Sequence, residues 1–175
     1  MIESSKKRIG IFGGSFDPPH LGHLKISKLA IKKIYLDEIY WCVTEKNPLK
    51  KKSFFSLSER IKKSKEITKN IKKIKIKFFE DKVKSTNTID LIKYLKIKSK
   101  KNIFFLIIGS DNLIKFHKWK SWKLLPILTK IVVFSRKDFD KKAKKSVIMK
   151  FVKDIKFIKN KPINISSTEI RKKIL

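Results

Sequence analysis

Short apolar runs alternate along this chain with longer stretches in which apolar residues recur at helical spacing. Arg8–Phe12 (RIGIF) predicts a buried strand. Leu21–Ile34 predicts a helix carried by Leu24, Ala30, Ile31 and Ile34, and Glu38–Thr44 (EIYWCVT) a second strand. Ser56–Thr68 predicts a helix, with Ser56 and Glu59 spaced for a capping box. Ile74–Phe79 predicts a third strand and Thr88–Ile97 a helix. Ile103–Ile108 (IFFLII) is the most continuous apolar run and predicts a central strand buried on both faces. Ile131–Phe134 predicts another strand, Ile155–Ile158 a weaker one, and Ser167–Leu175 a last helix. The charge run Lys137–Ser146 reads as a solvated helix or loop.

This alternation predicts an α/β fold: a central parallel sheet with right-handed crossovers and helices on both faces, in a single domain spanning residues 1–175. Ligands of such sheets sit at the carboxyl ends of the strands, near a switch in strand order. Gly13–His23, Thr44–Lys52, Gly109–Trp119 and Ser135–Arg136 each follow a predicted strand, so they are candidates for one crevice.

Composition narrows the classes. The 175 residues suffice to bury a core, and no apolar run is long enough to span a membrane. The first residues, MIESSKKRIG, lack an apolar signal segment. Cys42 is the single cysteine, so no internal disulfide forms and a reducing cytoplasm fits; it reads as a small buried hydrophobe. The formal charge of +31 comes from 42 lysines against four arginines, spread over every predicted element. A dedicated nucleic-acid face would cluster its charge and favour arginine forks with aromatic platforms. The spread reads instead as compositional drift, with no dedicated nucleic-acid partner and no membrane partner. It still draws anionic substrates in, in a salt-dependent way.

Chemistry concentrates in GIFGGSFDPPHLGH, residues 10–23. It holds four of the five glycines and two of the three histidines. Glycines permit a turn or close ligand approach, and a helix N-terminus suits phosphate. His20 and His23 share one helix face, where they can donate two hydrogen bonds to a phosphate chain and take up a proton as a polyanion arrives. The spacing fits neither a dinucleotide-binding GxGxxG nor a Walker A loop, and no cysteine cluster or HExxH supports a metal site. The plain alternative is that the two histidines only cap a helix. At the other end, INISSTEIR puts Ser166, Ser167 and Thr168 before a helix, with Glu169 placed for a capping box. Arg171 stands one turn in, where an exposed guanidinium fork can grip phosphate.

GGSFDPPHLGH followed by ISSTEIR resembles the nucleotidyltransferase superfamily with HxGH and ISSTxxR motifs. With IIGSDNLIKFHKW between them, the chain resembles the bacterial nicotinate-nucleotide adenylyltransferases over nearly its whole length. The resemblance implies a Rossmann-like domain that joins nicotinate mononucleotide to the AMP part of ATP, releasing nicotinate adenine dinucleotide and pyrophosphate, with Mg²⁺ held mainly by the ATP phosphates. It implies that His20 and His23 bind those phosphates, with Gly13, Gly14, Ser15 and Phe16 lining the site. Ser166, Ser167, Thr168 and Arg171 would close over the triphosphate, and Gly109 and Asp111 would hold the adenosine ribose. His20, His23 and Arg171 are the implied catalytic residues. Thr88 and Trp119 are implied at the nicotinate ring, with Lys46, Lys50 and Arg136 on the mononucleotide. The segment TEKNPLKKK departs from the family's proline-rich stretch ending in His-Arg, so Lys50 or Lys51 would stand in for an arginine. His117 has no implied role.

No Ser–His–acid or Cys–His pairing is suggested, and none is needed, because a 5′-phosphate is already a nucleophile at neutral pH. The protein's task is to align that oxygen with the α-phosphorus and to neutralise the leaving pyrophosphate. Two competing functions are a phosphopantetheine adenylyltransferase and a basic RNA-binding protein without catalysis.

Overall fold

The apolar runs become the strands of one six-stranded parallel sheet in the computed structural model, which describes residues 5–45, 53–161 and 165–174. The strands are β1 (Arg8–Gly14), β2 (Glu38–Val43), β3 (Ile74–Lys77), β4 (Ile103–Gly109), β5 (Lys130–Phe134) and β6 (Lys156–Ile158). Their spatial order is β3-β2-β1-β4-β5-β6, with every neighbouring pair parallel. The order turns back between β1 and β4, so the carboxyl ends of these two strands frame a switch-point crevice.

The main helices are α1 (Leu21–Lys33), α2 (Leu57–Thr68), α3 (Glu80–Val83) and α4 (Thr88–Lys98). Shorter ones follow: α5 (Ser110–Ile114), α6 (Leu125–Leu128), α7 (Asp140–Lys144) and α8 (Ser167–Lys172). Alternation along the strands sends side chains into two cores. Ile9, Ile11, Leu106, Ile108 and Val133 pack with Ile89, Ile92 and Leu95 of α4. Phe12, Trp41, Phe105, Ile107 and Val132 pack with Ala30 of α1, against Leu57 and Ile61 of α2. The central strand β4 is buried on both faces, as its unbroken apolar run predicts. Cys42 lies in the first core, 5 % exposed, and burial pushes its thiol up to about 12, which leaves it inert.

Two local expectations are corrected. β1 continues past Phe12, because Gly13 and Gly14 still pair with Cys42 and Val43. Gly10 belongs to the strand interior rather than the binding turn. A Cβ there would come within 2.7 Å of Leu36 and 2.8 Å of Ile107, so glycine lets the second core close over the strand. The run Lys137–Ser146 is a solvated turn and short helix pinned by two buried residues, Ala143 and Ser146. The sheet's outer strand β3 alternates Ile74 and Ile76 with exposed Lys75 and Lys77.

Candidate active site

The segment from Gly13, in the last residues of β1, through the turn to His20 contains a cis Asp17–Pro18 peptide and delivers two histidines to the start of α1. His20 is the N-cap; its Nδ1 accepts the Gly22 N–H at 3.1 Å. His23 Nδ1 accepts the His20 N–H at 3.2 Å. The result is a capping box built from two imidazoles in place of the usual hydroxyl and carboxylate. The capping role offered by the sequence is thus present in the structure. An Nδ1 that accepts a hydrogen bond carries no proton, so each neutral ring holds its proton on Nε2. The rings lie 3.8 Å apart between centroids. Burial, then the charge of Arg136, lowers His20 from its ordinary 6.5 to about 4, against an opposing pull from Glu169. Without a bound anion, and while the cap holds, His20 is therefore a neutral donor.

No described glycine in this turn adopts positive φ; the left-handed residue is Phe16, at φ 46°. Its ring is 1 % exposed and stacks on Trp41, with centroids 4.7 Å apart at 8°. Trp41 Nε1 donates to Ser27 Oγ at 2.7 Å, and Ser27 Oγ donates to the His23 carbonyl at 2.9 Å. The Phe16 side chain therefore belongs to the core, and only its backbone faces the turn. Open space surrounds Gly13, where a Cβ would meet nothing within 4 Å.

The carboxyl end of the chain comes back to this turn. Ser167 Oγ donates to the Pro18 carbonyl at 2.9 Å, and Arg171 donates from Nη1 to the Asp17 carbonyl. Arg171 Nη2 also donates to Thr168 Oγ1 at 3.1 Å. Ser166 caps α8 in a capping box with Glu169, as its spacing predicts. Arg171 is not the exposed residue expected: its side chain keeps 18 % exposure and lies 3.8 Å from Asp17 Oδ2.

Gly109 and Asp111 stand across the switch point. Asp111 Oδ2 pairs with Arg136 Nη1 at 3.1 Å, and the Arg136 N–H donates to Ser110 Oγ at 2.9 Å. Asp111 Oδ1 is buried with no hydrogen-bond partner among the described residues, and a Cβ on Gly109 would collide with it. Arg136 is therefore tied to the β4 turn and is near enough to His20 to act on its charge. Thr88 opens α4, and Trp119 stacks on Phe116 at 4.8 Å. Lys120 and Asp90 pair at 3.1 Å and tie the Trp119 segment to the first turn of α4. Lys46 and Lys50 lie outside the described residues. Sequence reasoning missed Trp41, Ser27, Asp17 and Arg60, which hold the turn from behind.

Among the described residues no cluster of three or more His, Cys, Asp or Glu could hold a metal, and no helix is long and apolar enough to cross a membrane.

Comparison with known proteins agrees with this geometry. The cytidylyltransferase-like family model matches residues 11–173. The chain is 46 % identical over 173 residues to the probable nicotinate-nucleotide adenylyltransferase of Pelagibacter ubique (strain HTCC1062), covering 98 % of this chain and 96 % of that one. It is 35 % identical over 129 residues to the protein of the same name from Rhizobium meliloti (strain 1021), covering 73 % of this chain and 68 % of that one. In fold it is similar to Plasmodium falciparum nicotinic acid mononucleotide adenylyltransferase complexed with NaAD, with a TM-score of 0.76 and 25 % identity, covering 95 % of this chain and 83 % of that one. The imidazole cap, the returning α8 and the switch-point aspartate thus sit on a recognised framework, and the chain belongs to the cytidylyltransferase-like family in its nicotinate-nucleotide adenylyltransferase branch.

Proposed function

We propose that this protein transfers the adenylyl group of ATP to nicotinate mononucleotide, giving nicotinate adenine dinucleotide and pyrophosphate. One observation carries the reading: the imidazole pair of α1 and the Ser167–Arg171 face of α8 converge on the same turn at the switch point. Arg136 and Arg171 flank that turn, which suits a triphosphate. The names of the relatives support the acceptor.

In this mechanism the backbone of Gly13, Gly14, Ser15 and Phe16 lines the triphosphate. His20 and His23 donate from Nε2 to phosphate oxygens whose charge grows as the α–β bond breaks. Arg171, with Ser166, Ser167 and Thr168, closes the other side. Asp111 over Gly109 accepts from the adenosine ribose, and its partnerless Oδ1 is a suitable acceptor. Thr88 and Trp119 bound the nicotinate site, with Arg136, Lys46 and Lys50 assigned to the mononucleotide. The 5′-phosphate attacks in line at the α-phosphorus, and no side chain needs to remove a proton. Asp17 and Asp111 are both turned toward arginines, so the donor set fits a Mg²⁺ held by phosphate oxygens and water. When bound it supplies charge neutralisation on the phosphates. The chain acts as one domain in the cytoplasm.

The test incubates the protein with ATP, Mg²⁺ and, separately, nicotinate mononucleotide, nicotinamide mononucleotide or phosphopantetheine. Pyrophosphate release and product mass are measured. The acid form should give the highest kcat/KM, because backbone N–H groups can receive its carboxylate but not an amide NH₂. Equal kcat/KM for the acid and the amide, or turnover only with phosphopantetheine, overturns the assignment.

A further inference from the structure

Arg60 is the least conspicuous charged residue of the chain in sequence and the most enclosed in the fold. It sits one turn inside α2 and is 1 % exposed. Among the described residues its guanidinium donates only to backbone carbonyls: Ser15 at 2.7 Å, Thr44 at 2.7 Å, Glu45 at 3.0 Å and Phe55 at 3.1 Å. No carboxylate lies within ion-pair distance of it among the described residues. These acceptors come from three separate segments: the turn after β1, the end of β2 and the approach to α2.

Neighbouring contacts reinforce the same junction. Asp17, 2 % exposed, accepts the N–H groups of Phe54 and Phe55 at 2.9 Å each. Glu80 Oε2 accepts the Glu45 N–H at 3.0 Å. The helix carrying Arg60 is itself fixed by the Ser56–Glu59 capping box. The guanidinium is therefore a rigid part read by loop backbone, not a mobile charge.

The consequence lies in one peptide plane. In a trans peptide the carbonyl and the following N–H point in opposite directions. With the Ser15 carbonyl held on Arg60, the Phe16 N–H is turned away from α2. Phe16 cannot relax by rotating its own φ, because the ring is captured by Trp41.

We infer that Arg60 is a positioning residue for ATP: it fixes the Ser15–Phe16 peptide so that the Phe16 N–H faces the phosphates. The inference rests on the adenylyltransferase reading for the identity of the ligand. A lysine at this position keeps the charge but offers one nitrogen, which cannot span three segments.

The test measures the Kd for ATP by calorimetry, without acceptor, in wild type, Arg60→Lys and Arg60→Met, with Tm recorded for each. The fitted site number reports the folded fraction. Arg60→Lys should weaken ATP binding about tenfold in the folded fraction, the scale expected for a misaligned hydrogen-bond donor to a charged group. If Arg60 only stabilised the fold, Tm and site number would fall while Kd stayed within about twofold, and the inference would be overturned. Should Arg60→Met fail to fold, Arg60→Lys alone decides. Wild-type protein that binds ATP but turns over no acceptor would sink the acceptor assignment and leave the Arg60 measurement standing.

Discussion

Trp41 lies parallel to Phe16, ring centroids 4.7 Å apart, and its indole N–H reaches the His23 carbonyl through Ser27 Oγ. One buried side chain thus clamps both the strained residue of the turn after β1 and the first turn of α1. Left-handed backbone at a non-glycine residue costs on the order of 1–3 kcal/mol and persists only where its surroundings impose it. Trp41→Ala should therefore destabilise the protein by about 3–5 kcal/mol in urea unfolding. A loss below about 1 kcal/mol would mean that the turn holds its shape without the clamp.

His20 supplies a pH test. Its folded value of about 4 lies below the ordinary 6.5, so the unfolded chain binds the extra proton between these limits. The associated stability is complete above pH 6.5 and is lost as pH falls toward 4, by about 3 kcal/mol. His20→Asn keeps a side-chain acceptor for the Gly22 N–H but cannot titrate. Unfolding free energies from pH 4 to 7 should show a shallower slope in this variant than in wild type. At pH 7.5 its kcat should fall more than about tenfold, since a phosphate donor is gone. Parallel pH curves for the two proteins would refute the buried neutral histidine.

Arg171→Lys separates a guanidinium fork from plain charge. With 42 lysines in the chain, loss of positive field is not at issue. kcat/KM for ATP should fall about ten- to a hundredfold. The fork also joins α8 to the Asp17 carbonyl, so stability without ligand should fall too, by about 1–2 kcal/mol. Unchanged stability would show that α8 is held by Ser167 instead.

Gly109→Ala probes the far side of the crevice. The new methyl group would displace Asp111 Oδ1 and crowd Arg136 Nε, 3.3 Å from the Cβ position. The Asp111–Arg136 pair should open, and KM for ATP should rise about tenfold with kcat less affected. If KM for ATP does not change, Asp111 is not part of the nucleoside site.

The framework was legible because each signal was local. The inner strands follow apolar runs, and the Ser56–Glu59 and Ser166–Glu169 boxes follow fixed three-residue spacing. The supports of the site were hidden because they are contacts between distant segments. Arg60 sits in SERIKK, where it looks like one more solvated charge. Asp17 looks like a turn residue, yet it receives Phe54, Phe55 and α8. The glycines carried the turn reading, yet the left-handed position is Phe16, whose ring stacks on Trp41. One signal was available: arginine is rare here, and all four hold a specific partner. Arg8 closes the end of α1 on the Ile34 and Tyr35 carbonyls, Arg60 gathers four carbonyls, Arg136 pairs with Asp111, and Arg171 ties down α8.

The alternation of Ile74 and Ile76 with Lys75 and Lys77 on β3 has a bearing on solubility at the crowded concentrations of a cell. An outermost strand leaves one row of N–H and C=O groups open to pairing with another molecule's strand. Two copies meeting along this edge would bring their lysines side by side before any backbone bond could form, and like charges directly opposite repel. Lys75 and Lys77 thus guard this edge of the sheet against pairing with another molecule.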